Sequence, residues 1–286
     1  MTILDLIQKT TAFFEKVGVP DPRLDVELLL THVLELKRMD LYLQFERQLS
    51  EPELDRLRPL VKRRAAREPL QHILEKTEFC GLEIRCTPQA LIPRPETELV
   101  VQRVIQLLAN KSPAAILDVG TGSGAIALAV ARASPSVAMV ASDLSEDTLA
   151  LARANAEKNG LQNRVEFRPG NLFEMIAPGE KFDLIVSNPP YIPSGEMAAL
   201  QPEVRHDPPL SLDGGADGLD IIRKLIMQSA NFLKEEGWLV FEIGQNQASG
   251  VRQLLEENGW IKIEIANDLR RIPRVVSAKV LKAKKA

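Results

Sequence analysis

From Glu96 onward, short apolar segments alternate with amphipathic ones, and this alternation leaves few folds open to the chain. Strands that alternate with helices form a parallel sheet that the helices cover on both faces. The last two apolar segments are joined by a loop without a helix, so they should pair antiparallel. We therefore predict an α/β domain with a seven-stranded, mostly parallel sheet whose last strand is antiparallel. The predicted strands are 114–119, 137–142, 165–168, 182–187, 237–243, 260–266 and 275–281, and the predicted helices are 96–108, 125–133, 146–159, 219–233 and 248–258.

The first 74 residues have a different pattern and are predicted to be helical. Apolar residues recur at helical spacing in three segments, and the third begins at a capping box formed by Ser50 and Glu53. Two short strands, 79–84 and 86–91, should follow as a hairpin before the proline-rich residues 92–95. The predicted organisation is a small all-α domain at 1–74, a β-hairpin and proline-rich linker at 75–95, and the α/β domain at 96–286.

Composition and charge narrow the class of partner. The 286 residues carry a net charge of −3 at pH 7, which does not suit a protein that coats nucleic acid through general positive charge. No apolar run approaches the roughly 18 residues that span a bilayer, and MTILDLIQKT lacks the layout of an export signal. Two cysteines and three histidines do not make a metal site. We expect a cytoplasmic protein with no membrane partner, no stable nucleic-acid partner and no metal.

The segment ILDVGTGSGAIALA has the pattern of a strand, a glycine turn and a helix start, with Gly120, Gly122 and Gly124 in the turn. Glycines let backbone N–H groups approach a ligand closely at a helix N-terminus, where negative charge is favoured. Asp143 ends the next predicted strand, roughly 20 residues further on, where a carboxylate holds ribose hydroxyls. The pattern predicts a site for an adenosine-containing ligand, and a purely structural tight turn is the alternative.

The same turn also satisfies the dinucleotide pattern G-x-G-x-x-A through Gly120, Gly122 and Ala125, so NAD is a second candidate ligand. Asp118 stands directly before the turn, where the dinucleotide pattern usually has an apolar residue. A carboxylate there suits a ligand with an ammonium group, as methionine has. Asp118 therefore favours S-adenosyl-L-methionine over NAD. No Tyr-x-x-x-Lys arrangement after the fourth strand offers an oxidoreductase its proton donor.

The fourth strand of the series ends in VSNPPYIP, where Asn188, Pro189, Pro190 and Tyr191 form a rigid elbow. Proline fixes φ and cannot donate to a strand ladder. Open α/β sheets bind ligands at the carboxyl ends of their strands, so the elbow and the glycine turn should face one crevice. The elbow resembles the Asn/Asp/Ser-Pro-Pro-Tyr/Phe motif of class I S-adenosylmethionine-dependent methyltransferases that act on a planar NH2 group.

The motif suits that chemistry for a physical reason. The side-chain carbonyl of Asn188 and the backbone carbonyl of Pro189 can accept both N–H bonds of an NH2 group, and Tyr191 can pack against a flat amide or base. An amide nitrogen is a poor nucleophile because its lone pair is delocalised. Two acceptors stabilise the positive charge that develops on the nitrogen as the methyl group arrives. By itself, the elbow fits glutamine, adenine and guanine alike.

A wider resemblance separates these substrates. The segment LQHILEKTEFCGLEIRCTPQALIPRPETELVV, with its core at 91–98, is similar to the linker of the protein-(glutamine-N5) methyltransferases that modify peptide chain release factors. VRHDPPLSLDGGADGLD and FEIG resemble later segments of that family. The resemblance implies a helical substrate-recognition domain before a Rossmann-like methyltransferase domain. It also implies methylation of the glutamine in the Gly-Gly-Gln loop of release factors, which supports translation termination, with S-adenosyl-L-methionine as donor and S-adenosyl-L-homocysteine as product.

The resemblance further implies roles for individual residues. Three positions depart from the family pattern: Asn171 stands where Asp is more frequent, and Glu75-Lys76 and Arg271 stand where glycine is more frequent. Asn171 can accept from the adenine amino group only without charge, so we expect weaker cofactor binding. The implied catalytic residues are Asn188, Pro189, Pro190 and Tyr191, and the implied cofactor-binding residues are Gly120, Thr121, Gly122, Ser123, Gly124, Asp143, Asn171, Leu172 and Asn188.

Two other functions compete with glutamine methylation. An adenine-N6 or guanine-N2 methyltransferase acting on DNA or ribosomal RNA would use the same elbow and the arginine-rich third helix. Against it, the chain is net acidic, has only 5% aromatic residues to stack on a flipped base, and has no extra domain large enough to read a duplex. A non-catalytic nucleotide-binding module is the other alternative, and the intact elbow and glycine turn argue against it. His206 is expected to be a loop residue and not a catalytic acid.

Overall fold

The computed structural model describes residues 1–109, 111 and 113–280. The contacts among these residues divide them into a helical unit, Met1–Lys76 with Gln201–His206, and an α/β unit, Thr77–Leu200 with the residues from 207 onward. No sequence pattern predicted that Gln201–His206 would join the helices. Among the described helices, none is both long and apolar enough to cross a membrane.

The described residues of the helical unit form five α-helices, two more than predicted. The capping box at Ser50 is present, since its backbone N–H donates to the Glu53 carboxylate at 2.8 Å. The two helices that the prediction missed, α3 and α5, have six and five residues and are too short for a periodic pattern to show. The five are α1 Ile3–Lys16, α2 Pro22–Leu34, α3 Arg38–Leu43, α4 Glu51–Ala65 and α5 Leu70–Leu74.

A buried ion network lies inside the helical unit. Arg64 of α4, whose side chain is 4% exposed, donates to Asp25 at 2.6 Å and to Glu203 at 2.9 Å. Arg67 adds two hydrogen bonds to the same Glu203 carboxylate, at 2.6 and 2.7 Å. Burial raises the pKa of Glu203, but the hydrogen bonds from the two arginines outweigh it and bring the pKa to about 2. Since a buried charge needs a partner, this network holds the segment Gln201–His206 on the helices.

The predicted hairpin is present, but its strands lie at other positions. They are β1 Lys76–Phe79 and β2 Leu82–Arg85. Cys80 and Gly81 form the turn, with φ values of 48° and 72°, as in a type I′ hairpin turn. The predicted strands at 79–84 and 86–91 were therefore wrong. Because cysteine is not a typical turn residue, the prediction placed the turn near residue 85, too late in the sequence.

Seven strands of the described chain form the main sheet, in the order β5-β4-β3-β6-β7-β9-β8. The strands from β3 to β7 pair in parallel, whereas β9 runs antiparallel to β7 and β8, which confirms the predicted fold class. Leu281, the predicted end of β9, and the basic tail lie outside the described residues. The strands are β3 Ala114–Val119, β4 Val137–Asp143, β5 Val165–Pro169, β6 Phe182–Ser187, β7 Leu233–Glu242, β8 Trp260–Asn267 and β9 Pro273–Val280. The helices are α6 Glu98–Leu108, α7 Ala125–Ala133, α8 Glu146–Lys158, α9 Asp220–Ser229 and α10 Ala248–Glu257.

The strand order reverses between β3 and β6. From β3, the sheet continues through β4 and β5 on one side and through β6 and β7 on the other. Val119, the last residue of β3, is in register with Ser142 of β4 and Ser187 of β6. The loops that follow these three strands therefore leave the sheet side by side. Open α/β sheets bind their ligands at such a switch point.

Candidate active site

The glycine turn, residues 120–124, follows β3 and borders open space. Gly120, Gly122 and Gly124 have φ values of 69°, 58° and 83°, in the left-handed region that glycine adopts without strain. A Cβ atom at Gly120 or Gly122 would meet no atom within 4 Å. The turn is therefore shaped so that a ligand can approach its backbone closely.

Neighbouring elements brace this turn. The Thr121 N–H donates to the Ser142 carbonyl of β4 at 2.8 Å. Asn155, a fully buried residue of α8, donates from its side-chain amide to the Ser123 carbonyl at 2.9 Å. No motif in the sequence marks Asn155 for this role, because only the fold brings α8 against the turn. These contacts hold the backbone of the turn in one conformation.

Asp118 lies near the end of β3 and is fully buried. Its Oδ2 atom accepts from the Thr121 hydroxyl at 2.6 Å, whereas Oδ1 has no hydrogen-bond partner among the described residues. Burial, with a smaller contribution from the nearby Asp143 carboxylate, raises the pKa of Asp118 to about 7 against the opposing hydrogen bond from Thr121. A buried carboxylate oxygen without a donor is unfavourable. Asp118 therefore fits the ammonium group that the sequence led us to expect there.

Asp143 ends β4 and faces the glycine turn. Its Oδ2 atom accepts from the Gly122 N–H at 2.9 Å, and Oδ1 accepts from the Ser145 N–H at 3.1 Å. Burial raises the pKa of Asp143, and these backbone donors oppose the increase. Each carboxylate oxygen has a second lone pair, so Asp143 can still accept from ribose hydroxyls.

Asn171 and Leu172 follow β5 at the same edge of the sheet. Asn171 is exposed, and its side-chain amide makes no hydrogen bond with the described residues. Leu172 has a φ of 53°, which is unusual for a leucine, and packs partly buried against the core under the sheet. Such a conformation persists only where the surroundings hold it, and the packing of Leu172 provides this here.

The elbow, residues 188–191, leaves the end of β6 with its acceptors free. The Asn188 Nδ2 atom donates to the Thr97 hydroxyl at 3.2 Å. No hydrogen bond from the described residues reaches Asn188 Oδ1 or the carbonyl of Pro189, which is itself a buried residue. The two carbonyl groups expected to hold an NH2 group are therefore both available.

Tyr191 closes the elbow and is held at both ends. Its phenol donates to Glu242 Oε1 at 3.0 Å, and its backbone carbonyl accepts from the Gln247 side chain at 2.8 Å. Glu242 is 1% exposed, and its Oε2 atom accepts from the Thr97 hydroxyl at 2.7 Å. Burial raises the pKa of Tyr191, and the Glu242 carboxylate raises it further.

Thr97 and Glu242 are site residues that were not predicted from the sequence. Both lie inside segments that carried the family resemblance, 91–98 and FEIG, but their hydrogen bond joins residues 145 positions apart. No local pattern reveals such a contact. Only the position of Glu242 at the carboxyl end of an apolar strand hinted at a role.

The structure brings the predicted residues to loops after four neighbouring strands of the α/β unit. The glycine turn follows β3, Asp143 ends β4, the pair Asn171-Leu172 follows β5, and the elbow follows β6. His206 lies elsewhere, in the helical unit, and is exposed. Open space beside the glycine turn, a half-buried Asp143 and an unpartnered Asp118 oxygen fit an adenosine-containing cofactor that carries an ammonium group.

Comparison with known proteins gives consistent matches over the chain. A family model described as the PrmC N-terminal domain matches residues 5–74, and one described as the methyltransferase small domain matches residues 97–202. The release factor glutamine methyltransferase of Geobacter sulfurreducens is 42% identical over 280 residues, which cover 98% of this chain and 97% of that protein. The enzyme of the same name from Deinococcus radiodurans is 39% identical over 279 residues, covering 98% and 99%.

Among solved structures, the hMettl16 catalytic domain in complex with MAT2A 3'UTR hairpin 6 has a TM-score of 0.61 with this chain. It is 17% identical, and the match covers 79% of this chain and 84% of that one. At this identity the likeness concerns the fold alone. It agrees with the methyltransferase sheet described above.

Proposed function

Because this chain belongs to the family of release factor glutamine methyltransferases, we propose that it methylates the side-chain amide nitrogen (N5) of the glutamine in the Gly-Gly-Gln motif of peptide chain release factors. The methyl donor is S-adenosyl-L-methionine. The observation that carries the proposal is the elbow with two free carbonyl acceptors, in a chain that aligns with such enzymes over 98% of its length. The helical unit, matched at 5–74, is proposed to recognise the protein substrate. Release factors act at the ribosome, so we expect the reaction in the cytoplasm.

The residues of the switch point are proposed to hold the cofactor. The glycine turn would border its methionine and ribose parts, Asp143 would accept from the ribose hydroxyls, and Asn171 and Leu172 would lie beside the adenine. Asp118 would face the ammonium group. When bound, the cofactor supplies an electrophilic methyl group on a sulfonium and leaves as S-adenosyl-L-homocysteine.

The elbow is proposed to bind and orient the glutamine amide. Asn188 Oδ1 and the Pro189 carbonyl accept its two N–H bonds, which fixes the nitrogen in line with the methyl group. Transfer would form an N–C bond to the methyl group that the bound cofactor supplies, and the amide nitrogen would become positively charged. The two carbonyls stabilise the positive charge that develops on nitrogen. The methylated nitrogen then loses one proton to water, so the elbow needs no dedicated base.

A methyl-transfer assay tests the proposal. The protein is incubated with labelled S-adenosyl-L-methionine and, in parallel, with release factor, DNA or ribosomal RNA. We expect label on the release factor only. Replacing the loop glutamine with glutamate removes the NH2 group at nearly constant shape, and this should abolish labelling. Label that persists on the glutamate variant, or label on nucleic acid alone, would refute the proposal.

The elbow itself is tested by Asn188→Ala. Loss of one preorganised acceptor should lower the turnover number about a hundredfold or more, as the removal of comparable charge-stabilising groups does in other enzymes. The unfolding midpoint should stay close to that of the wild type, since Asn188 has a single side-chain hydrogen bond among the described residues. A near-normal turnover number would count against the role of the elbow.

A further inference from the structure

We propose that Thr97 and Glu242 are positioning residues that determine which end of the Asn188 side-chain amide faces the substrate, so that the elbow presents an acceptor and not a donor. The inference deepens the function proposed above and rests on it for the identity of the NH2 group. Thr97 directly precedes α6, Glu242 ends β7, and Asn188 follows β6. We call the hydrogen-bonded chain Asn188–Thr97–Glu242 the relay.

The direction of each hydrogen bond in the relay follows from the available protons. An ionised Glu242 can only accept, and it accepts from the Thr97 hydroxyl at 2.7 Å. A hydroxyl has one proton, so Thr97 can only accept from Asn188. Asn188 must therefore turn its NH2 end to Thr97, at 3.2 Å, and its carbonyl end away from it.

This orientation matters because the two ends of an asparagine amide are nearly equal in size. Without fixed partners, such a side chain can adopt either orientation. In the reversed orientation, Asn188 would bring its own NH2 group against the NH2 group of the substrate. Two donors form no hydrogen bond, and the bond that stabilises the developing charge would be lost. The relay thus preorganises the elbow, because the Asn188 carbonyl already faces the substrate site before the substrate binds.

Glu242 is the charged end of the relay, and several groups act on it. Burial raises the pKa of Glu242, and the nearby Glu96 carboxylate raises it further. The hydroxyls of Thr97 and Tyr191 and the Arg274 guanidinium oppose the increase. These groups come from the turn before α6, the elbow and β9, so the charge state of Glu242 depends on all three.

Protonation of Glu242 would reverse the relay. A protonated Glu242 can donate a hydrogen bond to the Thr97 hydroxyl, which is then free to donate a hydrogen bond to Asn188 Oδ1. The amide would turn its NH2 end to the substrate. We therefore expect the turnover number to fall toward acid. The fall should occur at a pH above the range in which an ordinary glutamate titrates.

Three variants test the relay in the methyl-transfer assay. Thr97→Val keeps the shape but removes the hydroxyl, and it should lower kcat about tenfold at neutral pH, as expected for the loss of one orienting hydrogen bond. KM for the release factor should change less than kcat. Thr97→Ser keeps the hydroxyl and should stay within about twofold of the wild type in kcat. Glu242→Gln can accept from or donate to Thr97, so both amide orientations become possible and an intermediate rate is expected.

The pH profile separates a positioning role from a structural one. The wild type and Thr97→Ser should lose activity toward acid, whereas Thr97→Val and Glu242→Gln should lack this acidic limb. Ser229→Ala is the matched control, because it removes a buried hydroxyl that donates to the Leu225 carbonyl within α9. This control should leave both the rate and the pH profile unchanged. Wild-type kcat in Thr97→Val, or an unchanged acidic limb in Glu242→Gln, would overturn the proposal.

A measurement without substrate keeps the relay and the proposed function distinguishable. The ¹⁵N–¹H signals of the Asn188 side-chain amide, assigned with Asn188→Asp, should titrate with pH in the wild type and in Thr97→Ser. In Thr97→Val they should not follow this titration. A wild type that transfers no methyl group to release factor refutes the proposed function, and the titration then decides the relay by itself. Amide signals that are indifferent to pH in the wild type would overturn the relay.

Discussion

Replacing Gly218 with alanine should disturb the elbow from a residue outside it. Gly218 lies in the loop before α9 and has a φ of +75°. A Cβ atom there would lie 2.7 Å from the Gln247 Nε2 atom and closer still to the Tyr191 carbonyl oxygen. These two atoms form a hydrogen bond of 2.8 Å that holds the end of the elbow. The added methyl group must therefore displace one or both of them.

Gly259 provides a matched control for the magnitude. Its φ is +76°, and a Cβ atom there would meet no atom within 4 Å. At both positions, alanine in the left-handed region costs about 1 kcal/mol. Only Gly218→Ala adds overpacking, which typically costs about 1–3 kcal/mol. We expect the free energy of unfolding to fall by about 1 kcal/mol in Gly259→Ala and by about 2–4 kcal/mol in Gly218→Ala.

The assay combines denaturation with kinetics. Both tryptophans, Trp238 and Trp260, lie in β7 and β8, so their fluorescence during urea unfolding reports the α/β unit. A displacement of about 1 Å in positioning groups can lower the rate about a hundredfold. We expect a loss of about tenfold to a hundredfold in kcat for Gly218→Ala and no more than about twofold for Gly259→Ala. Equal stability and equal kcat in the two variants would refute the reasoning, because the loop would then have moved and left the elbow in place.

Asp118 and Glu203 have pKa values shifted in opposite directions, and each shift predicts a measurable effect. Between pH 6 and 7, the ionised fraction of Asp118 rises from about a tenth to about a half, so the affinity for S-adenosyl-L-methionine, measured by calorimetry, should rise about fivefold. Asp118→Asn should remove this pH dependence of the affinity, and an unchanged pH dependence would contradict a contact with the ammonium group. Glu203→Gln should lower the free energy of unfolding of the helical unit by about 3 kcal/mol at pH 7, because buried Arg64 loses one of its two carboxylate partners. Because the pKa of Glu203 is lowered, its contribution to the free energy of unfolding is present above about pH 4.5 and is lost as the pH falls toward 2. Unfolding followed by circular dichroism should therefore show the wild type and Glu203→Gln becoming equally stable in acid. A difference in stability that does not change with pH would contradict the ion network.

The elements that sequence reasoning predicted best are those with a sharp local signal. The bounds of β3, α7 and β6 agree with the prediction to the residue, because a mostly apolar strand next to a glycine turn or a proline leaves little freedom. The same alternation predicted that the glycine turn and the elbow lie at one edge of the sheet, since parallel strands bring their carboxyl ends together, but it did not predict the strand order. The strands of the predicted hairpin were misplaced because Cys80 adopts a left-handed conformation without being a usual turn residue.

Long-range partners within the site were beyond sequence reasoning. The elbow pointed to the NH2 chemistry, but which residue orients Asn188 depends on α6 and β7 meeting in the fold. Asn155 and the glycine turn meet in the same way. A polar side chain within an amphipathic helix or at a strand end has many possible roles, and only packing selects one.

The segment Gln201–His206 bears on how this chain could be divided. The polypeptide enters the helical unit twice, so a single cut after residue 76 would not release a complete module. The released fragment would retain Arg64, a side chain that is only 4% exposed in the intact unit, without the Glu203 that accepts from it. A transplant of the helical unit onto another protein would have to include this short return segment. The residues that make up a complete helical module are therefore defined by the ion network and not by a continuous stretch of the chain.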